Sequence, residues 1–327
     1  MDDIYFHGET LDDVMHSVIE KIISNGEHIY PSKGECTELT GVLLEITNSR
    51  ARLSRTETRG KPFSCLGELC WYLAGNNELD FISYYIPDYT CYADGEEIFG
   101  GYGPRLYHFR GLNQIANVTD LLRRKPFSRQ AVIQLFDAED IVEEHKDIPC
   151  TCVLQFFVRH GSLHMVTYMR SNDVHLGLPH DIFSFTMLQE IMARDLSVDL
   201  GIYKHVVGSL HLYDRDRDSA QRFLEEGWQS TEMPMPPMPL GDPWPSIQSL
   251  LKAEAIIRNG DPFDNAELGS LDDYWADFVR LLQVYRHSKY NDVNNIDEIC
   301  ERMSSPTYRP FIDKKLRDHQ NQSSNSA

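Results

Sequence analysis

Residues 181–196, DIFSFTMLQEIMARDL, are apolar almost all the way round a helical wheel. A helix of that kind has no face to offer water and must be enclosed by the rest of the chain. Two β-rich runs precede it, 153–158 and 163–169, and the RHGS between them suits a hairpin turn. A further strand-like run, 204–213, follows it. An apolar helix flanked by strands predicts an α+β fold, with the helix packed on a sheet and other elements closing over it.

The rest of the chain supplies candidates for that cover. Leu11, Val14, Val18, Ile19 and Ile22 fall at helical spacing within 10–30, and Leu66, Leu69, Cys70 and Leu73 form one stripe of a helix over 63–74. LTGVLLEIT (39–47) reads as a strand leading into a basic loop, NSRARLSRTETRG, and 112–124 reads as a helix. The stretch 76–110, rich in Tyr, Asp and Gly, is expected to be irregular. MPMPPMPLGDPWP (233–245) has too many prolines for regular structure and marks a boundary or a long wrapped connection. Beyond it, Ser270 and Asp273 form a box-like helix start, and Trp275, Phe278, Val279 and Leu282 make an apolar face. These features divide the chain into a main domain over 1–232, a packed helical extension over 233–318 and an unstructured tail over 319–327.

Charge and cysteine usage narrow the function. A net charge of −19 disfavours a nucleic-acid partner, and an anionic small substrate would need a dedicated cationic cluster. Seven scattered cysteines, an odd number, argue against a disulfide framework and for a reducing compartment. No long apolar run suggests a membrane span, and the acidic start MDDIYFHGETLDD does not read as a signal peptide, so a cytoplasmic location is expected.

Three short stretches carry chemistry. In PCTCVLQF, Cys150 and Cys152 lie two apart on a strand and share a face. No second cysteine pair exists to complete a metal site, so no metal is expected. The pair can be buried thiols acting as small hydrophobes, or one can be a nucleophile. In MRSNDVHLGLPHDI, Arg170, Ser171, Asn172 and Asp173 end a strand, and a forked cation beside a hydroxyl suits a phosphate, although a surface ion pair is the ordinary use of an arginine. In VGSLHLYDRD, alternation puts Ser209, His211 and Tyr213 on one face, where two ring side chains with polar tips can hold sugar hydroxyls or simply sit satisfied in a core.

Taken together and in this order, these pieces resemble the thymidylate synthase superfamily, whose signature is a Pro-Cys before a QF strand, an Arg-Ser-x-Asp, a Gly-Leu-Pro turn and an HxY strand. GELCWYLAG (67–75) is similar to the family's glutamate helix, FGGYG (99–103) to its Tyr-Gly turn and SRQAV (128–132) to its arginine pair. The resemblance covers roughly 35–225. It implies a thymidylate synthase-like fold with a large mixed sheet, pairing of two subunits through that sheet, and 5,10-methylenetetrahydrofolate as co-substrate. It also implies that Cys150 attacks carbon 6 of a pyrimidine, with Arg170 favouring its thiolate, and that Glu68 relays protons. Arg170, Ser171 and Asn172, joined by Arg129 from the second subunit, would bind the nucleotide and its phosphate. His211 and Tyr213 would hold the sugar, while Asp173, Gly177 and Tyr102 would serve the folate and proton network.

Within the superfamily, the branch is read at one position. Thymidylate synthases have Asn where this chain has Asp181, and an amide matches uracil. A carboxyl group matches cytosine instead, accepting from the exocyclic amine and sharing a proton with the bare ring nitrogen. This swap is what deoxycytidylate hydroxymethylases carry. The resemblance therefore implies hydroxymethylation of a cytidine monophosphate, and Ser171 favours the deoxy form. The rivals are a thymidylate synthase or cytidylate methylase of unusual specificity, and a non-catalytic nucleotide-binding scaffold. Gln130 replaces the second arginine of the pair, which makes Arg50, Arg52 and Arg55 of the basic loop candidates for the missing phosphate contact. The family's folate-side tryptophan has no counterpart in YYIPDYTCYADG (84–95), and its C-terminal closing segment is replaced by the helical extension.

Overall fold

The computed structural model describes residues 4–325, apart from the side chains of 265–267, 294 and 321–325. A seven-stranded mixed sheet runs through it. Its strands are β1 (Tyr5–Gly8), β2 (Glu27–Ile29), β3 (Cys36–Ile46), β4 (Val132–Gln134), β5 (Thr151–Arg159), β6 (Ser162–Asp173) and β7 (Asp199–Tyr213). The order is β1-β3-β7-β6-β5-β4, with β2 paired to the end of β3; β1/β3 and β6/β7 are parallel and the other pairs antiparallel. Left-handed His160 and Gly161 make the tight turn between β5 and β6, where the RHGS hairpin is expected.

The apolar helix is α6 (Gly177–Asp195), which lies against β6 and β7 with Ile182, Phe183, Phe185, Met187 and Leu188 all buried. Each such side chain contributes about 2 kcal/mol through removal from water. The helix starts four residues earlier than the sequence suggests. Gly177, Leu178 and Pro179 form its first turn, where proline's missing N–H costs nothing, so Asp181 sits one turn in. On the same side of the sheet, α1 (Leu11–Asn25) buries Val14, Met15, Val18, Ile19 and Ile22 and is closed at its start by a Thr10–Asp13 capping box. It stops before Gly26, so the expected helix over 10–30 is too long and its end is strand β2.

Helix α2 (Pro62–Leu73) matches the expected stripe, and buries nearly every residue. The stretch after it is not irregular throughout. It holds α3 (Leu79–Tyr85), a 3-10 turn over Pro87–Cys91, and α4 (Tyr102–Tyr107), followed by α5 (Gln114–Arg124). After β7 come α7 (Arg217–Glu225) and the extended proline-rich segment, then α8 (Trp244–Asn259), α9 (Asp273–Lys289), α10 (Asn294–Glu301) and α11 (Arg309–Asn325). Ser270 does not cap α9: it ends a preceding 3-10 turn, and Asp272 holds the cap position without a side-chain bond. Helix α11 runs into the tail expected over 319–327, of which residues 326–327 lie outside the described ones.

The proline-rich segment is a wrapped connection pinned to the core. Buried Glu190 of α6 accepts from Met238 N at 3.0 Å and pairs with buried Arg52 at 2.5 Å, while Arg194 Nε donates to Met238 O. Beyond it, the extension braces α3. Tyr85 Oη donates to Glu254 of α8 at 2.8 Å, and Tyr285 Oη of α9 donates to Tyr84 O at 2.7 Å. Among the described residues, no helix is long and apolar enough to cross a membrane.

Candidate active site

A cavity of about 790 Å³ opens between the ends of β6 and β7, helix α2, the start of α6 and the loop before β5. Cys150, the residue before β5, lines it and is half-buried. Arg170 curls around the same loop: its Nε donates to Pro149 O at 3.0 Å and its Nη2 to Ile148 O at 2.9 Å. Two of its five N–H groups thus hold the cysteine loop, and the remainder stay available to an anion. Burial pushes the Cys150 thiol up to about 11, against the opposing pull of Arg170; Asp147 and Asp181 add to the rise. Arg170 thus pulls toward the thiolate, while desolvation acts more strongly the other way.

Glu68 projects from α2, only 4% exposed, and accepts a hydrogen bond from Tyr89 Oη at 2.5 Å. Burial raises its carboxyl above the usual range, with Tyr89 and Tyr72 opposing the rise. Asp181 faces the same cavity from α6, and burial, reinforced by Glu68, holds its carboxyl well above the ordinary value. The shift favours the protonated form, in which a carboxyl can donate as well as accept. Tyr102 Oη accepts from Thr151 N at 3.1 Å and from Thr151 Oγ1 at 2.9 Å, which ties α4 to the residue beside the nucleophile candidate.

The other expected residues fall into two groups. Ser171, Asn172, Asp173, Gly177, His211 and Tyr213 all line the cavity. His211 Nδ1 lies 3.5 Å from Ser171 Oγ, and its ring meets Tyr213 edge-on at 4.8 Å. Asp173 Oδ1 accepts from His175 N and Leu176 N, closing the turn into α6, so part of its carboxylate serves the backbone. Gly177 leaves room: a Cβ there would lie 2.9 Å from Asn172 Oδ1 and 3.7 Å from Asp181 Oδ2. Arg129, by contrast, is exposed and is not among the residues lining its own chain's cavity.

The arginines put forward for phosphate contact are not there either. Arg50 donates to Met235 O, Arg52 is spent on Glu190, and Arg55 donates to Thr307 O over the Phe311 ring. Besides Arg170, the cations that line the cavity are Lys33, Arg59, Lys61, Lys146 and Arg215, none of which the motifs point to. Arg59 is a neighbour of the candidates in the same basic loop, but only the packing of that loop decides which side chain turns inward. Tyr89, a second omission, contacts Trp71 edge-on at 5.5 Å and occupies part of the folate-side stretch where no aromatic counterpart was expected. Among the described residues, one group of three possible metal ligands occurs, His28, Glu35 and Asp214, and all three are exposed.

This arrangement of thiol, buried carboxyls and cations around one cavity agrees with comparison against known proteins. The family model for thymidylate synthase matches residues 14–258. The chain belongs to the thymidylate synthase family. That match takes in every strand of the sheet but β1, together with α6 and the start of the extension through most of α8. Among curated proteins, a deoxyuridylate hydroxymethyltransferase of Bacillus phage SP01 is 28% identical over 223 residues, which are 64% of this chain and 58% of that protein. The chain therefore spans under two thirds of the length of this thymidylate synthase-family relative.

Proposed function

We propose that this protein is a folate-dependent one-carbon transferase that hydroxymethylates carbon 5 of deoxycytidylate, using 5,10-methylenetetrahydrofolate and water. The observation that carries the choice of base is a carboxyl, Asp181, raised by burial at the end of a cavity that also holds a cysteine thiol. Such a carboxyl accepts from cytosine's exocyclic amine and shares a proton with its ring nitrogen, a far stronger base than uracil's carbonyl oxygen.

In this reading, the phosphate is held by the free N–H groups of Arg170 with Ser171 and Lys33, and the sugar by His211 and Tyr213. As the Cys150 sulfur bonds to carbon 6 its proton passes to water in the cavity, and the charge moves onto the ring toward Asp181, whose shared proton neutralises it and returns to Asp181 when the sulfur is expelled. Two features suit a folate: Gly177, where the lack of a side chain keeps the cavity wall flat beside Asn172 Oδ1, and the buried indole of Trp71, whose Nε1 has no hydrogen-bond partner among the described residues. When bound, the folate supplies a one-carbon unit at the formaldehyde level. Glu68, raised by burial, then takes the carbon 5 proton and orders the water that adds to the new exocyclic carbon; expulsion of the Cys150 sulfur restores the ring.

Two copies pair, in this proposal, through the face of the sheet not covered by α1 and α6. Leu43, Val206, Tyr168 and Val153 sit side by side on successive strands, and Tyr168 is 42% exposed. A second copy seated there would bring its Arg129 to this chain's phosphate site and cover that apolar row.

A second reading, deoxyuridylate as the substrate, is favoured by the name of the phage relative. The two are separated by offering deoxycytidylate and deoxyuridylate, each labelled with tritium at carbon 5. Release from deoxycytidylate, abolished in Cys150→Ser with nucleotide binding retained, is the expected result. A wild-type protein that binds nucleotide and releases no tritium from either would be a scaffold.

A further inference from the structure

Behind the cavity lies a line of buried polar groups with no part in the chemistry above. Asn172 Nδ2 is 2.9 Å from His205 Nε2, His205 Nδ1 is 2.7 Å from Tyr203 Oη, and Tyr203 Oη donates to Thr167 Oγ1 at 3.1 Å. Asn172 is 3% exposed and the other three are fully buried. Register explains part of the arrangement: Thr167 and His205 are partners across β6 and β7, and Tyr203 lies two residues before His205 on the same face.

The partners fix which end of the Asn172 amide is which. Met169 Sδ lies 3.1 Å from the same Nδ2, and a thioether can only accept, so the nitrogen must face it. Both amide hydrogens are then used inward, on Met169 and on His205 Nε2. The ring accepts at Nε2 because it is neutral, its basicity suppressed by burial, and it donates from Nδ1 to Tyr203. The carbonyl oxygen is left pointing the other way. It and Asp181 Oδ2 lie 2.9 and 3.7 Å from the empty Cβ position of Gly177, and all three residues line the cavity.

We propose that His205 is a positioning residue for base choice, locking Asn172 so that its oxygen stands beside Asp181 as a second acceptor. An exocyclic amine has two hydrogens, one for Asp181 and one for Asn172 Oδ1. A carbonyl oxygen in that place meets two acceptors and is repelled. Without the lock, the Asn172 amide can rotate and offer its NH₂ to that oxygen instead. The inference rests on the deoxycytidylate reading given above.

The test measures dissociation constants for deoxycytidylate and deoxyuridylate by calorimetry, with kcat and KM for each, in wild type, His205→Phe, His205→Gln and Tyr203→Phe. In His205→Phe the preference for deoxycytidylate falls by about tenfold or more, through KM and binding, with kcat little changed. His205→Gln, whose amide oxygen still accepts from Asn172, keeps most of the preference. Isosteric Tyr203→Phe, which frees His205 Nδ1, shifts it in the same direction by a smaller factor, and carries the test should His205→Phe not fold. An unchanged preference in the folded variants overturns the role of His205 while leaving the deoxycytidylate reading standing. A wild-type protein with no preference for deoxycytidylate overturns both.

Discussion

Tyr89 donates a 2.5 Å hydrogen bond to the carboxyl of buried Glu68, and both line the cavity wall. Burial alone drives that carboxyl toward its neutral form, and the phenol is a main force in the other direction. Removing it in Tyr89→Phe should raise the Glu68 pKa further. The acidic limb of the pH profile of kcat/KM then moves to higher pH, and activity near neutrality falls by about tenfold. A profile identical to wild type would mean that Glu68 does not set that limb.

Asp181 offers a direct test of base recognition. Replacing its carboxyl by an amide in Asp181→Asn removes the proton that it can share with cytosine's ring nitrogen, and offers a carbonyl and an NH₂ that match uracil's ring N–H and oxygen. The ratio of kcat/KM for deoxyuridylate over deoxycytidylate should rise by about a hundredfold. An unchanged ratio would remove the basis for choosing cytosine.

Much of this frame is readable from the amino acids alone, and the reasons are local. Helix α6 and the hairpin before it announce themselves because all-round apolarity and a glycine turn leave few alternatives. The stretch 76–110 does not, because α3 and α4 are seven and six residues long. Helices that short draw little from their own propensity. Helix α3 stands because Glu254 and Tyr285, some 170 to 200 residues away, bond to Tyr85 and Tyr84. The same limit hid Tyr89, which sits in the 3-10 turn that follows. For the cavity, serine, histidine and tyrosine lie on strands, where alternation assigns a face, and they arrive where the pattern puts them, with the thiol immediately before a strand. Apart from Arg170 on β6, the cations lie outside the strands. Nothing in NSRARLSRTETRG distinguishes Arg59, which turns inward, from Arg55, which is held by Thr307 and Phe311 of the extension.

Gly177 is expected to matter for space and not for backbone freedom, since it lies in regular helix. Gly177→Ala adds a methyl group 2.9 Å from the Asn172 oxygen, which its partners hold in place. KM for nucleotide or folate should rise about tenfold or more, while the melting temperature holds or increases slightly, alanine being the better helix former by up to about 1 kcal/mol. A variant with unchanged KM would show that the cavity is not filled at this end.

His175 provides a stability test that is independent of turnover. It is 1% exposed, neither ring nitrogen has a hydrogen-bond partner among the described residues, and burial followed by the nearby Arg59 lowers its pKa from 6.5 to about 3. Between those values the unfolded chain binds the proton and the folded protein does not, so this group costs stability as pH falls, at about 1.4 kcal/mol per pH unit. His175→Leu should therefore gain on wild type by that slope in denaturant unfolding from about pH 6 to about pH 4. Parallel stability curves over that range would show that His175 does titrate in the folded protein.

The most direct measurement of the proposed reaction is the identity of its product. Wild-type protein is incubated with deoxycytidylate and 5,10-methylenetetrahydrofolate, the nucleotide is weighed by mass spectrometry, and the folate is followed by absorbance. A hydroxymethyl group on carbon 5, with tetrahydrofolate as the only folate released and no product from Cys150→Ser, is the predicted result. A methyl group accompanied by dihydrofolate would contradict it.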